Sequence, residues 1–232
     1  MTTLFKYEMH IHTKGCSKDG RSDVCEMIDK AVEEGYSGFV ITNHFYRGNT
    51  GIDRDLPWHE FVGAYKNDYL TAKEYGDKID FDVLFGVEEA YAKGKEVLIY
   101  GLSPDVIAAE PGFKQMDLKA MSDFVRKNGG IIACAHPFRV RPSIPDPDAE
   151  PDHTCLDAVE VYNSHNNAEE NGKAMAFAEK YGLIKTSGGD VHGTDRFDVV
   201  GIDSKIRIRD NKTLLEVLRS GDYGLLEKRK TD

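Results

Sequence analysis

The chain has 232 residues, of which 40 are Asp or Glu and 30 are Lys or Arg, so its formal net charge is −10. This length is sufficient to bury a large core, and we expect one domain over residues 1–232. The acidic excess argues against general nucleic-acid binding and against adhesion to an anionic membrane, because both partners carry negative charge. It favours an enzyme of small molecules, in which bound cations would offset part of the charge.

The sequence also bears on where the protein acts. No apolar run reaches the length that crosses a bilayer, and the first residues show no signal-peptide pattern. The cysteines form no CxxC pair and have no zinc-finger spacing, so we expect reduced thiols in a cytoplasmic protein. Cys134 lies in an apolar run and is predicted to be a core residue. Cys16 lies in a polar loop, where a reactive thiol is a second interpretation.

Strand and helix patterns follow each other along the whole chain. The predicted strands are residues 4–10, 39–42, 81–87, 96–100, 131–135, 158–162 and 183–186, with a further short strand near 199–202. The predicted helices are about 24–32, with Ser22 as its cap, 58–75, 118–125, 168–180 and 212–219. The segments 46–57 and 137–155 are predicted to be loops, since they are rich in Gly, Asp and Arg or in Pro.

This alternation is typical of parallel strands joined by helical crossovers. About seven such units in this length favour a barrel over an open sheet. In a barrel of this kind, functional residues gather at the C-terminal ends of the strands.

His10 and His12 stand at the end of the first predicted strand. Residues two apart on a strand point to the same face, so the two imidazoles could share a divalent metal such as zinc. On this pair alone, two surface or hydrogen-bonded histidines remain the alternative. Other predicted strands also end in His, Asp or Glu, and such ends converge at one mouth of a barrel. These residues are His44, Glu88, His136, Asp190 and His192.

The motifs His-x-His, Thr-Asn-His, Gly-Val-Glu, Ala-His-Pro and Gly-Gly-Asp-x-His occur in that order. Together they resemble the PHP (polymerase and histidinol phosphatase) domain, and the resemblance covers nearly the whole chain. It implies a distorted, TIM-like (β/α)7 barrel. It also implies two or three divalent metals, with zinc, manganese and iron all known in the family, and often the hydrolysis of phosphate esters.

The resemblance also implies a ligand for each metal. The first metal would be held by His10, His12, Glu88 and Asp190, the second by Glu88 as a bridge and His136, and the third by Asp19, His44 and His192. Neutral imidazole and carboxylate suit such ions.

Two positions depart from the family pattern. Asn43 stands where an Asp usually precedes His44, so the usual acidic partner is missing there. The fourth strand lacks the His that often ligates the second metal. Either Leu98 occupies that position and the ligand is missing, or Glu96, on the same strand face, replaces it.

The chemistry expected from such a site is attack on phosphorus by a metal-activated water, held by His10, His12, Glu88 and Asp190. Arg139 could clamp the phosphate, because its fork bonds two oxygens at once, or could pair with an acid of the following loop. Arg196 and then Arg47 are weaker candidates for the same role. No convincing Ser-His-Asp arrangement or phosphate-cradling loop occurs. We interpret Gly188-Gly189 as a tight turn that lets Asp190 approach the metals.

The remaining histidines, and two polar residues near the sixth strand, are not assigned as metal ligands. His59 and His153 are predicted to be solvated, and His165 is predicted to be an ordinary hydrogen-bonded histidine near the rim. Glu160 and Asn163 resemble a Glu-x-x-Asn segment of the family and are predicted to support the ligands.

The favoured function is a metal-dependent phosphoesterase of a small phosphorylated metabolite or nucleotide. The alternatives are an amidohydrolase-like metal hydrolase and a non-catalytic metal-binding module. The sequence names neither the substrate nor the oligomeric state.

Overall fold

The computed structural model describes residues 4–228, and in that range the chain folds into an α/β structure around one sheet. The strands are β1 (Phe5–Ile11), β2 (Gly38–Ile41), β3 (Asp82–Ala92), β4 (Lys95–Tyr100), β5 (Ile131–Ala135), β6 (Ala158–Asn163), β7 (Ile184–Gly188), β8 (Gly201–Ser204) and β9 (Gly224–Leu226). The α-helices are α1 (Val24–Glu33), α2 (Trp58–Lys78), α3 (Pro104–Ala108), α4 (Leu118–Lys127), α5 (Ala168–Tyr181) and α6 (Asn211–Ser220).

The strand order in the sheet is β7-β6-β5-β4-β3-β2-β1-β8-β9. The pairs β1–β2, β2–β3, β5–β6 and β6–β7 are parallel, as the alternation of strands and helices predicts. The expectation of parallel strands throughout is wrong for β4, which is antiparallel to both β3 and β5. Only Lys93 and Gly94 connect β3 to β4, and a parallel crossover needs a dozen or more residues. β8 is likewise antiparallel to β1.

The sheet nearly closes between its first and seventh strands. The backbone N–H of His12 donates to Val191 O (2.8 Å), and the N–H of Val191 donates to His10 O (3.0 Å). These bonds join the end of β1 to the segment that follows β7. The fold is therefore the distorted TIM-like barrel that the sequence predicts.

Alternate residues of the central strands separate into an inner and an outer layer. Val40, Leu84 and Leu98 belong to one buried cluster, which leucines of α6 complete. Val97 and Ile99, on either side of Leu98 in the chain, pack instead in the cluster that holds α2, α4 and α5. Side chains two or four residues along a strand share a face, so the inner layer continues directly into the residues at the mouth.

The N-cap of helix α1 lies one residue later than the sequence analysis proposes, although the helix begins near the expected residue. Asp23, not Ser22, is the N-cap, and it forms a capping box with Glu26. Asp is as good a cap as Ser, and a Glu three residues later completes the reciprocal pair. Ser22 instead accepts a hydrogen bond from Thr194 N (3.2 Å), which ties this loop to the segment after β7.

None of the helices within residues 4–228 combines the length and the apolar character that crossing a bilayer demands.

Candidate metal centre

The eight residues implied as metal ligands lie together at the C-terminal ends of the parallel strands. His10 lies in β1 and Glu88 lies in β3, and the others lie in the segments that follow β1, β2, β5 and β7. Six of the eight are no more than 7% exposed, namely His10, His12, His44, Glu88, His136 and Asp190. The two others, Asp19 and His192, have side chains exposed by 42% and 16% and form the outer rim.

The Glu88 carboxylate lies at the centre of the group. Its Oε1 is 3.2 Å from His10 Nε2 and 3.2 Å from His136 Nε2. Its Oε2 is 3.3 Å from His12 Nε2 and 2.7 Å from His44 Nδ1. Glu88 reaches this place because it lies four residues from Leu84 on the inner face of β3.

The Asp190 carboxylate also approaches the imidazoles of His10 and His12. Its Oδ1 is 3.2 Å from His12 Nε2 and 3.5 Å from His10 Nε2. Its Oδ2 is 2.7 Å from Arg139 Nη2. One carboxylate thus joins the centre to the Arg139 guanidinium.

Asp19 and His192 extend the group toward solvent. Asp19 Oδ2 is 3.4 Å from His44 Nε2 and 3.5 Å from His192 Nε2. His192 Nδ1 lies 2.7 Å from Asp190 O, which leaves Nε2 facing Asp19. Asp19 is itself held by Asn49, whose amide donates to Oδ2 (2.8 Å).

The donor set fits a cluster of divalent cations. Within residues 4–228, the buried atoms His44 Nδ1, Glu88 Oε2 and His136 Nδ1 have no hydrogen-bond partner, although the first two are only 2.7 Å apart. Such atoms cost free energy unless something pairs with them. Four sets of ligand atoms lie within 4.8 Å of one another: His12, His44 and His192; His10, His136 and Asp190; His10, His12 and Glu88; and His44, Glu88 and Glu96. Imidazole and carboxylate ligands suit zinc, manganese and iron.

The charges of the group favour cations in a buried place. Burial disfavours the charged form of His44, but Glu88 and Asp19 outweigh it and raise the pKa of His44 to about 11. Burial likewise opposes ionisation of Glu88, yet His10 and His44 hold the pKa of Glu88 well below its usual range. Burial and the charge of His44 lower the pKa of His12 to about 3. The site therefore holds ionised carboxylates out of water, where positive charge is strongly attracted.

The sequence left open whether Glu96 replaces the missing histidine of the fourth strand or Leu98 occupies that position. The structure places Glu96 beside the proposed ligands. Its Oε1 is 3.7 Å from His44 Nδ1, and its Oε2 is 3.6 Å from His136 Nε2. Burial and the nearby Glu88 raise the pKa of Glu96 to about 8. Leu98 lies deeper on the same face and is fully buried in the inner apolar cluster.

Glu160 supports two of the histidines from behind. Its Oε1 lies 2.9 Å from His10 Nδ1, and its Oε2 accepts from His136 N (3.0 Å) and from Asn163 Nδ2 (2.9 Å). Glu160 and Asn163 thus occupy the supporting positions that the sequence analysis proposes.

Glu8 is a buried site residue that the sequence analysis missed. Its Oε1 accepts from three backbone N–H groups, those of Met9 (2.8 Å), His10 (2.9 Å) and Gly189 (2.8 Å). It therefore ties β1 to the segment that carries Asp190. The available signal was its spacing, since Glu8 precedes His10 by two residues and shares its strand face.

The interpretation of Gly188-Gly189 as a tight turn is wrong, because Gly188 is the last residue of β7 and Gly189 forms no turn. Neither glycine has a positive φ. A Cβ on Gly188 would lie 2.6 Å from Glu160 Oε1, and one on Gly189 would lie 2.9 Å from Glu8 Oε2. The two glycines leave room for these carboxylates. The positive φ falls on the proposed ligands themselves, at Asp190 (+53°) and His136 (+29°). Such strain at non-glycine residues is typical of functional sites.

Asn43 does not contact the His44 ring. Its Oδ1 accepts from Thr13 N (2.6 Å) and from the Ser17 hydroxyl (2.9 Å). The Ser17 hydroxyl also lies 3.1 Å from His12 Nδ1. Ser17 is a second site residue that the sequence analysis missed, and its place in a polar loop gave no periodic signal.

The structure separates the three candidate arginines. The Arg139 side chain is 13% exposed, and it donates from Nε to Asn166 Oδ1 (2.9 Å) and from Nη2 to Asn163 Oδ1 (2.8 Å), besides its contact with Asp190. Its acidic partner is thus Asp190, not an acid of the following loop. Arg196 is exposed beyond His192. Arg47 donates to Met116 O (2.7 Å) and lies outside the centre.

The other histidines stay outside the centre. His59 is 76% exposed, and His153 stacks on Tyr181 with ring centroids 3.8 Å apart. His165 lies at the rim, with its ring centroid 6.3 Å from that of His192.

Cys16 is 1% exposed and donates to Tyr65 O (3.1 Å). Burial raises the pKa of its thiol, so the interpretation as a reactive cysteine is wrong. Cys134 is fully buried, as predicted.

Comparisons with known proteins bear on the family and the fold of this chain. Residues 8–213 match the family model of the PHP domain. The sequence is 30% identical over 114 residues, or 49% of the chain, to DNA polymerase III PolC-type from Thermotoga maritima, of which the match covers 7%. The chain thus spans only a small part of this relative.

Solved structures share the fold at low sequence identity. A two-domain protein from Bacteroides vulgatus that contains a predicted PHP-like metal-dependent phosphoesterase superposes with a TM-score of 0.73 at 18% identity, over 97% of this chain and 65% of that one. An amidohydrolase from Chromobacterium violaceum gives a TM-score of 0.62 at 14% identity, over 97% and 99%. Because the family model covers most of its length, the chain belongs to the PHP domain family.

Proposed function

We propose that the protein is a metal-dependent phosphoesterase that hydrolyses a small phosphorylated metabolite or nucleotide, within one domain and in the cytoplasm. The observation that carries this proposal is the buried Glu88 carboxylate, with four imidazole nitrogens 2.7–3.3 Å from its two oxygens. Membership of the PHP family and the likeness to a PHP-like phosphoesterase support it.

We assign the ligands in three groups, of which the first two share Glu88. The first metal takes His10, His12, Glu88 and Asp190, the second takes Glu88, His136 and Glu96, and the third takes Asp19, His44 and His192. Two or three zinc, manganese or iron ions are expected. When bound, such ions act as Lewis acids and make a water nucleophilic near neutral pH.

Arg139 is the substrate-binding residue that the geometry favours. Its Nε and Nη2 are bound to Asn166, Asn163 and Asp190. Among residues 4–228, no hydrogen bond uses its Nη1. The guanidinium is therefore fixed in place with one amine available for a phosphate oxygen, beside a proposed ligand. Arg196, further out on the rim, is a second candidate.

A hydrolase of amides or esters is the second candidate function. The likeness to the Chromobacterium violaceum amidohydrolase favours it, and a metal-activated water can also attack carbon. An arginine held beside Asp190 favours the phosphate substrate instead, because a neutral amide gains little from a fixed cation. The match to a polymerase raises a third possibility, a metal-binding module without turnover.

One experiment separates the three candidate functions. Protein stripped with a chelator is reloaded with Mn²⁺, Zn²⁺ or Fe²⁺ and assayed on phosphate monoesters, phosphate diesters, amides and carboxylic esters. We expect turnover of a phosphate ester that requires the metal and is lost in Asp190→Asn. Turnover of amides or carboxylic esters alone would establish the second function. Bound metal without turnover of any class would establish the third.

A further inference from the structure

The Ser17 hydroxyl has three polar neighbours and only one proton to give. It lies 2.9 Å from Asn43 Oδ1, 3.0 Å from His44 N and 3.1 Å from His12 Nδ1. A hydroxyl donates once and accepts twice. Asn43 Oδ1 can only accept, and His44 N–H can only donate. Ser17 therefore gives its proton to Asn43, so it must accept from His44 N–H and from His12 Nδ1–H.

The orientation of the Asn43 amide is fixed independently. Thr13 N donates to Asn43 Oδ1 (2.6 Å), and Asn43 Nδ2 donates to Thr13 Oγ1 (2.7 Å). A reversed amide would point its NH₂ group at the Thr13 N–H. Thr13 Oγ1, which accepts from Asn43, donates its own proton to Asp68 Oδ2 on α2. The donor and acceptor at each step are thus determined from Asp68 to His12.

Gly15 leaves space for Asp68, the residue at the end of this series of hydrogen bonds. A Cβ on Gly15 would lie 2.1 Å from Asp68 Oδ1. An amide at position 43 donates toward Thr13, so the Thr13 proton needs an acceptor elsewhere. Asp68 provides this acceptor at a distance of 55 residues along the chain.

We propose that Asp68, Thr13, Asn43 and Ser17 act as positioning residues that hold His12 in the Nδ1-protonated tautomer. His12 Nε2 then carries its lone pair toward Glu88 Oε2 (3.3 Å) and Asp190 Oδ1 (3.2 Å). A cation ligand needs this lone pair. The use of the lone pair by a metal rests on the proposed function, whereas the tautomer itself does not.

The tautomer is measured on metal-free protein labelled with ¹⁵N-histidine, by long-range ¹H–¹⁵N NMR at mildly alkaline pH. We expect His12 of the wild type to be protonated at Nδ1 only. Ser17→Ala should yield the other tautomer or a mixture, and Ser17→Thr should keep the wild-type spectrum. The matched control is Ser122→Ala, which removes another buried serine hydroxyl, on α4, and should change nothing.

Metal affinity provides the second measurement, by competition of Zn²⁺ between the protein and a chromophoric chelator. We expect Ser17→Ala to weaken Zn²⁺ binding about 10- to 100-fold, the range known for partners of metal ligands. In Asn43→Asp, the carboxylates at positions 43 and 68 both need the single proton of the Thr13 hydroxyl. This variant should therefore also bind Zn²⁺ more weakly. Adding Asp68→Asn to that variant again gives positions 43 and 68 one carboxylate and one amide. The double variant should therefore regain affinity for Zn²⁺.

The outcomes are distinct. An unchanged His12 tautomer in Ser17→Ala would overturn the proposal, and so would a double variant no better than Asn43→Asp. If Asn43→Asp does not fold, the Ser17 variants decide. A wild type that binds none of Zn²⁺, Mn²⁺ and Fe²⁺ yet shows the expected tautomer would overturn the proposed function and leave the positioning role standing.

Discussion

His10 Nδ1 and Glu160 Oε1 lie 2.9 Å apart, both fully buried, with the other ring nitrogen of His10 turned toward Glu88. A carboxylate behind a histidine ligand fixes its ring and raises its basicity. Glu160→Gln keeps the shape and removes the charge. We expect this change to weaken metal binding about 10- to 100-fold, measured by chelator competition.

The control for this prediction is Glu179→Gln on α5, which removes an exposed carboxylate 3.1 Å from Lys185. It should leave the affinity unchanged, because exposed ion pairs contribute little. Equal affinities for Glu160→Gln and the wild type would show that Glu160 only fills space.

Metal binding should stabilise the fold. The metal-free centre buries ionised Glu88 and Asp190 with unpaired polar atoms, and an ion bound only by the native state relieves this. At an ion concentration 100 times the Kd, we expect about 2.7 kcal/mol of added stability. Thermal or urea unfolding of chelator-treated protein, with and without Mn²⁺, measures it. Asp190→Asn should show a much smaller gain, and an equal gain would place the stabilising ion elsewhere.

The space at Gly189 can be tested directly. A Cβ there would lie 2.9 Å from Glu8 Oε2 and 2.5 Å from Val191 Cγ2, so Gly189→Ala should destabilise the fold by roughly 1–3 kcal/mol. Gly172→Ala is the control, since its Cβ meets nothing within 4 Å and it lies inside α5. It should stabilise by about 0.5–1 kcal/mol. Urea unfolding of both variants decides, and a neutral Gly189→Ala would contradict the steric explanation.

The barrel and the family could be predicted from the sequence because both depend on local signals. Alternating apolar runs mark the strands, and His, Asp and Glu follow them at the ends that parallel strands bring together. His10, Glu88 and Asp190 were found in this way. The direction of β4 was also available, because the predicted strands 81–87 and 96–100 leave only about eight residues for a connection, too few for a parallel crossover. The repeated alternation of strands and helices outweighed this signal.

The sequence could not predict contacts between segments that lie far apart along the chain. Asp68 reaches Thr13 across 55 residues, and Glu8 reaches Gly189 across 181. No periodicity marks such pairs, because each depends on how a loop or a helix packs against the barrel mouth. The same holds for Gly188 and Gly189 at the end of β7, which the sequence analysis interprets as a turn although they leave space for two carboxylates.

Arg139 should matter for the substrate more than for the metal. Arg139→Lys keeps a positive charge but cannot contact Asn166 and Asp190 while also facing a substrate oxygen. Loss of a hydrogen bond to a charged group costs about 1.5–3 kcal/mol, so kcat/KM for a phosphate ester should fall roughly 10- to 100-fold. Arg126→Lys, at a surface pair with Asp157, is the control. An unchanged kcat/KM in Arg139→Lys would remove Arg139 from the substrate site.

Glu96 should determine whether the second metal binds. Its carboxylate lies 3.6 Å from His136 Nε2 and 3.7 Å from His44 Nδ1, where a third ligand beside Glu88 and His136 is needed. Glu96→Ala should lower the metal content by one equivalent, measured by elemental analysis after dialysis. Glu96→His should keep the ion, because imidazole ligates the same metals. Leu98→Met, on the same strand face but inside the apolar cluster, changes volume little and should leave the metal content unchanged. If Glu96→Ala keeps every equivalent, the carboxylate is a neighbour of the centre and not a ligand in it.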